Sequence, residues 1–180
     1  LMIKPFDFYF DFVSPYSFLA HKEIRKSEIK AGIKIKYKPV LLGGLHNLHG
    51  IKAPAFVPAK AKHMVRDCKL IAERNNVKFK FNSYFPIKSL NLMRGVLVAE
   101  EDNIENYYID NIFNTVWQDG LNMNDEIVVQ KILKNLNVNP KTFILRSASS
   151  LIKDSLRNKT NEAYEKGIFG APTFVSNNKI

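Results

Sequence analysis

An almost unbroken apolar run, Phe6-Asp7-Phe8-Tyr9-Phe10-Asp11-Phe12, predicts a strand whose aromatic content suits a central place in a sheet. Ser14-Pro15 follows with the form of a helix start. Serine is a favoured N-cap, and proline is favoured at the first helical position, where its missing N–H is not needed. The helix should run from Tyr16 to about Lys26. Strict alternation over 33–38, Ile33-Lys34-Ile35-Lys36-Tyr37-Lys38, predicts a second strand, half-buried and closed by Pro39. These elements make a β-α-β unit, so its two strands should be parallel.

From about Val57 the apolar spacing becomes helical and stays so for over a hundred residues. Ala61, Met64, Val65, Cys68, Ile71 and Ala72 share one stripe. Further helices are expected near 88–100, 104–118, 125–136, 140–147 and 150–166. Asn124 or Asp125 is placed to cap the third of these, Pro140 to open the fourth, and Gly167 to end the last. Ala171-Pro172-Thr173-Phe174-Val175 returns to strand character. No repeat, low-complexity tract or Gly/Ser linker interrupts this order. Helices set inside a β-α-β core give the outline of an α/β, thioredoxin-like fold with an inserted all-helical domain. The core would comprise 1–56 and 168–180, and the insertion 57–167, its last helix leading back to the core.

Charge adds one question. Lysine and arginine outnumber aspartate and glutamate by 27 to 17, a formal charge of +10, which raises nucleic acid as a partner. The basic residues are scattered, though, and three of them alternate along one predicted strand, which points them to solvent. No nucleic-acid motif accompanies them, so the reading is a solvated face and no nucleic-acid partner. No stretch has the roughly 18–20 apolar residues of a membrane helix, and no secretory leader pattern is recognisable. The single cysteine, Cys68, rules out an internal disulfide and suits a reducing compartment, giving a cytoplasmic expectation with no membrane association. Its place on the apolar stripe makes it a core residue rather than a reactive thiol.

Two segments could carry chemistry. Ser14, between a buried strand and a helix, would hold its hydroxyl beside free backbone N–H groups and the positive end of the helix dipole, a setting that stabilises an anion or a thiolate. An ordinary N-cap is the plainer reading of the same residue. An acyl-transfer nucleophile is not supported, because no Gly-x-Ser-x-Gly elbow or adjacent histidine supplies a base. In Gly167-Ile168-Phe169-Gly170-Ala171-Pro172-Thr173, a cis bond before Pro172 would turn the Ala171 backbone toward a peptide-like ligand. A plain Gly/Pro turn is the rival reading. His46-x-x-His49, placed in a loop, has no third ligand at metal spacing, so no metal is expected. His21 and His63 fall on helices and read as surface groups or as groups behind a site.

Taken together, Asp11-Phe12-Val13-Ser14-Pro15-Tyr16-Ser17-Phe18-Leu19 and Gly167-Ile168-Phe169-Gly170-Ala171-Pro172-Thr173 resemble the two signatures of the kappa glutathione transferase and 2-hydroxychromene-2-carboxylate isomerase family. Pro58-Ala59-Lys60, Met64-Val65-Arg66-Asp67, Phe85-Pro86, Met93-Arg94 and Trp117-Gln118-Asp119-Gly120 occur between them in the family's order. The resemblance implies a DsbA-like fold, glutathione as cofactor and a homodimer. It implies that Ser14 hydrogen-bonds the glutathione sulfur, that Lys60 lies near glutathione, and that Ala171, before Pro172, pairs with the cysteinyl backbone. Asn47 and Trp117 are weaker candidates for contact with the second substrate. That substrate would be an unsaturated aromatic carboxylate for an isomerase, or a small-molecule electrophile for a transferase. The isomerase is preferred on the wording of the first signature and of Pro58-Ala59-Lys60. A non-catalytic glutathione- or peptide-binding module is a further alternative.

Thioredoxin-type oxidoreductases carry Cys-x-x-Cys where this chain has Ser14-Pro15-Tyr16-Ser17, so thiol–disulfide exchange is chemically impossible at this site. The chain departs from the family in several places. Gly50 is followed by Ile51 where relatives have asparagine, and His63 stands where tyrosine is usual. Relatives also continue past Ile180 with a strand, a Trp-Gly-x-Asp-Arg-like segment and a terminal helix. The expectation is that roughly 20 residues or more are missing here by usual element lengths, or that function is lost.

Overall fold

In the computed structural model, which describes residues 6–32, 35–177 and 179–180, three strands form one sheet: β1 (Phe6–Phe10), β2 (Ile35–Pro39) and β3 (Thr173–Val175). Their order is β2-β1-β3, with β1 parallel to β2 and antiparallel to β3. The parallel pair is the one that the β-α-β pattern requires. Residues 33 and 34, where the sequence pattern would begin the second strand, lie outside the described residues. Lys36 is exposed as alternation predicts, while Lys38 is half-buried, and burial pulls its pKa down.

β1 is covered on both faces, which is why it reads as a nearly continuous aromatic run. Phe8 and Phe10, with Phe12 just beyond, pack with Phe18, Phe113 and Trp117 in the main core. Tyr9 points the other way, into a smaller cluster with Val40, Leu45, Ala163 and Ile168. The helices that supply these partners are α1 (Pro15–Ala31), α2 (Leu42–Leu48), α3 (Pro58–Arg74), α4 (Leu90–Glu101), α5 (Glu105–Asn114), α6 (Glu126–Asn135), α7 (Pro140–Ser147) and α8 (Ser150–Glu165). Helix α1 runs one turn past Lys26 and ends at Gly32 in the left-handed region, φ 62°. Asp125, not Asn124, caps α6, and Pro140 opens α7 behind the Asn139 cap. Helix α2 departs from the sequence pattern, since Gly43-Gly44 argues against a helix interior. Its first amide is held by a buried carboxylate, described below, and its Leu45 is buried, so tertiary contacts override propensity. Cys68 is buried on the apolar face of α3, and burial pushes its thiol up to about 12.

A cluster of polar groups joins the core to the helical insertion. His21 of α1, 1% exposed, receives the Tyr37 hydroxyl at Nδ1 (2.7 Å) and reaches Asp110 of α5 through Nε2 (2.9 Å). Arg25 donates to the same carboxylate oxygen at 2.9 Å and lies over the Tyr37 ring. Of the two positions expected for His21, the surface one is therefore corrected: α5 and β2 close over that face of α1. Burial holds the His21 pKa below its usual value, against the opposing pull of Asp110. The folded protein thus takes up this proton at a lower pH than the unfolded chain, which does so below about pH 6.5. The contribution is fully present above that pH and is lost as the pH falls below it. Urea midpoints measured between about pH 8 and pH 5 should decline at the acid end, and His21→Gln should flatten the decline. An equal slope in both proteins would assign it elsewhere.

Gly95 marks a close crossing in the insertion. A Cβ there would lie 2.7 Å from Cζ of buried Tyr108 and 3.1 Å from Cε1 of Phe143. Gly95→Ala should gain up to about 1 kcal/mol in helix propensity but lose about 1–3 kcal/mol to overpacking. A thermal midpoint several degrees lower is the expected net result. An unchanged or higher midpoint would mean that α5 and α7 give way freely.

Candidate active site

The loop between β1 and α1 is built around Asp11, which is fully buried. Its Oδ1 accepts the Val13 amide at 3.0 Å and its Oδ2 accepts the Leu42 amide at 2.8 Å, so one carboxylate closes the loop and starts α2. Burial raises its pKa, and hydrogen bonds from these amides and from Ser89 oppose the rise. The Ser14 amide donates to the Asp11 carbonyl at 3.0 Å. From the other side, the Phe12 amide meets the Met93 sulfur at 3.4 Å and the Phe12 carbonyl accepts the Trp117 indole N–H at 2.8 Å. Sequence reasoning passed over Asp11 as a functional residue. The available signal was an acidic residue inside an apolar run.

Ser14 caps α1 with extended backbone angles, φ −88° and ψ 114°. Its hydroxyl accepts the Ser17 amide at 3.1 Å and donates to the Ala171 carbonyl at 3.0 Å. Ser14 and Ala171, 157 residues apart, are therefore direct neighbours, and the Ala171–Pro172 bond is cis. Phe85–Pro86 is also cis, which the sequence reading did not anticipate. Among the described residues, the amides of Tyr16 and Ala171 have no hydrogen-bond acceptor, so both remain donors beside the serine. Ser17 is fully buried and its hydroxyl also lacks a partner. The arrangement offers hydrogen-bond donors and the positive end of a 17-residue helix, with no base in contact with the Ser14 hydroxyl among the described residues.

The other expected residues lie on elements around this centre. Lys60 is exposed in the first turn of α3, and no ion pair holds it among the described residues. Helix α3 leans on α1 through Tyr16, whose hydroxyl donates to Asp67 at 2.7 Å, two turns beyond Lys60. Asn47 is exposed near the end of α2. His46 and His49 lie on α2 and at its C-cap rather than in a loop; His49 Nε2 contacts the Ile168 carbonyl at 3.0 Å. No group of three or more possible metal ligands occurs among the described residues, and no helix among them is long and apolar enough to cross a membrane. His63 is exposed on α3. Trp117 is fully buried in a π-helical turn, Thr115–Asp119, packed against Phe79, Phe81 and Phe85. It offers no surface to a substrate, and its contact with the site is the hydrogen bond to Phe12.

A model of the DSBA-like thioredoxin domain matches residues 6–180. The chain belongs to the DSBA-like thioredoxin domain family. Within that family it is 24% identical over 181 residues to a 2-hydroxychromene-2-carboxylate isomerase of Sphingobium xenophagum, a match covering 99% of this chain and 92% of the relative. It is 26% identical over 175 residues to glutathione S-transferase kappa 1 of Caenorhabditis elegans, covering 92% and 77% of the two chains. Among solved structures, a 2-hydroxychromene-2-carboxylate isomerase superposes with a TM-score of 0.89 at 22% identity, covering 98% of this chain and 87% of that one. The likeness shows the same DSBA-like fold: a thioredoxin-like core with a helical insertion.

Proposed function

We propose that this chain is a glutathione-dependent enzyme of the 2-hydroxychromene-2-carboxylate isomerase type, with Ser14 holding the glutathione sulfur as a thiolate. The observation that carries the reading is the meeting of Ser14 with the Ala171 carbonyl at 3.0 Å, at the N-terminus of α1 and beside two unused backbone donors. The donor set suits an anion. Ser14 Oγ–H turns from the Ala171 carbonyl toward the sulfur, and the Tyr16 amide and the helix dipole add to the positive field there. The Ala171 N–H and C=O offer a pair to the cysteinyl backbone beside Pro172. Lys60 supplies a cation for a glutathione carboxylate. A lysine in the first turn opposes its own helix dipole by about 0.3–1 kcal/mol, a cost that a bound anion offsets.

Bound glutathione supplies a thiolate that adds reversibly to an unsaturated aromatic carboxylate, and its later loss gives the isomer. The protein's part is to keep the sulfur ionised and oriented; Asp11, Trp117 and Met93 hold the loop that does so. Kappa-like transfer, in which the thiolate stays bonded to an electrophile, uses the same residues. Asn47 would line the second-substrate side, as the exposed polar residue of α2. The same reading carries a homodimer acting in the cytoplasm on small molecules.

The test supplies glutathione with 2-hydroxychromene-2-carboxylate and, separately, with a generic aromatic electrophile. Isomerisation that stops when glutathione is omitted is the expected result. Thioether formation without isomerisation would move the assignment to the transferase. Neither reaction, with glutathione still bound, would leave a binding module.

A further inference from the structure

A cavity of about 240 Å³ lies inside the helical insertion, between α4, α5, α6 and α7. Leu92, Tyr108, Met123, Leu133 and Phe143 form its buried wall. The polar atoms of that wall are satisfied within the protein: the Tyr108 hydroxyl donates to the Leu92 carbonyl at 2.9 Å, and the Ser147 hydroxyl to the Phe143 carbonyl at 2.9 Å. The hydroxyl protons of the wall are therefore already spent, and the rest of its buried surface is apolar. An apolar cavity of roughly 150 Å³ stays dry and binds benzene, so this one has room for a single aromatic ring with a short chain.

Its mouth has the opposite character. Asn124 Oδ1 accepts the Lys88 amide at 2.7 Å and Asn91 Oδ1 accepts from Arg94 Nη1 at 3.2 Å, so each side-chain oxygen is turned toward a protein donor. The Nδ2 groups of Asn91 and Asn124 and the ammonium of Lys88 are left as donors without acceptors among the described residues. Glu126, the acidic group at the mouth, accepts from Gln130 Nε2 at 2.9 Å. The rim is thus rich in donors and has one engaged carboxylate.

The cavity is separate from the Ser14 site. On α4 and the two residues before it, Ser89 and Met93 face the Asp11–Phe12 loop, whereas Lys88, Asn91 and Leu92 face the cavity. At 100° per residue these two sets lie about 120° apart around the helix. We propose that this cavity is a second ligand site, taking a small molecule with an apolar, ring-sized body and one carboxylate that meets Lys88, Asn91 and Asn124.

Methionine methyl groups report the two sites independently, because Met123 lines the cavity and Met93 touches the Phe12 amide. Full-length protein labelled with ¹³C-methyl methionine would be titrated with 3-phenylpropionate and with its uncharged counterpart, propylbenzene. The expected result is a saturable shift of the Met123 methyl with both, and none at Met93. Lys88→Gln should weaken 3-phenylpropionate about fivefold, the upper range for an exposed ion pair, and leave propylbenzene unchanged. Ser14→Ala should leave both titrations intact, so the result stands apart from the glutathione reading. Shifts at Met93 with Met123 silent would overturn the second site. Equal binding of 3-phenylpropionate by Lys88→Gln and wild type would overturn its anionic part.

Discussion

Ser14→Ala is expected to lower glutathione-dependent turnover by about 100-fold or more while leaving the fold in place, because it removes an oriented donor from a resting or developing anion. The hydroxyl also accepts the Ser17 amide, so the variant should lose about 1 kcal/mol of stability as an N-cap loss. Glutathione binding should weaken much less than turnover, since the Ala171 backbone and Lys60 are untouched. The cause is tested through the thiolate itself. A free thiol of this kind has a pKa of about 8.5, and a helix N-terminus with a directed hydroxyl lowers such values to about 7 or below. Thiolate absorbance of the complex, titrated with pH, should therefore show ionised sulfur near neutrality in the wild type and a higher pKa in Ser14→Ala. If neither the pKa nor the turnover moves, Ser14 only caps the helix.

Trp117 should have the largest effect on stability. Its ring is fully buried against three phenylalanines, and truncation to alanine is expected to cost about 3–5 kcal/mol. Native proteins have only about 5–15 kcal/mol in hand, so Trp117→Ala should unfold at much lower urea or precipitate on expression. Trp117→Phe separates packing from positioning. It keeps most of the ring contacts but removes the indole donor to the Phe12 carbonyl, two residues before Ser14. The expected outcome is a folded protein with reduced kcat and a nearly unchanged KM for glutathione. A Trp117→Phe variant with wild-type kcat would show that the loop does not need this hydrogen bond.

Much of the fold is legible in the chain because its elements are signalled locally. Apolar runs, proline at the first helical position and caps such as Ser14 and Asp125 mark where helices begin, and each acts on backbone within a turn of itself. The parallel pairing of β1 and β2 likewise follows from the helical crossover between them, which is long enough to return the chain to the same end of the sheet. The Ser14 and Ala171 segments stand out for the same reason: Ser-Pro and Gly-x-Pro patterns announce unusual backbone.

Other features depend on partners far away in the chain. Helix α2 survives its glycine pair because Asp11 holds its first amide and Leu45 finds a pocket, neither of which is visible from residues 42–48. His21, on a helix of mixed polarity, is buried because Asp110 and Tyr37 arrive to satisfy both of its ring nitrogens. Trp117 turns inward because a π-helical turn shifts its register toward Phe12, 105 residues earlier. Residue identity and spacing thus decide which local structures can form and which groups can do chemistry. Long-range desolvation and hydrogen bonding decide which polar groups are buried, and those contacts bring Ser14 to Ala171 and keep Trp117 away from any substrate.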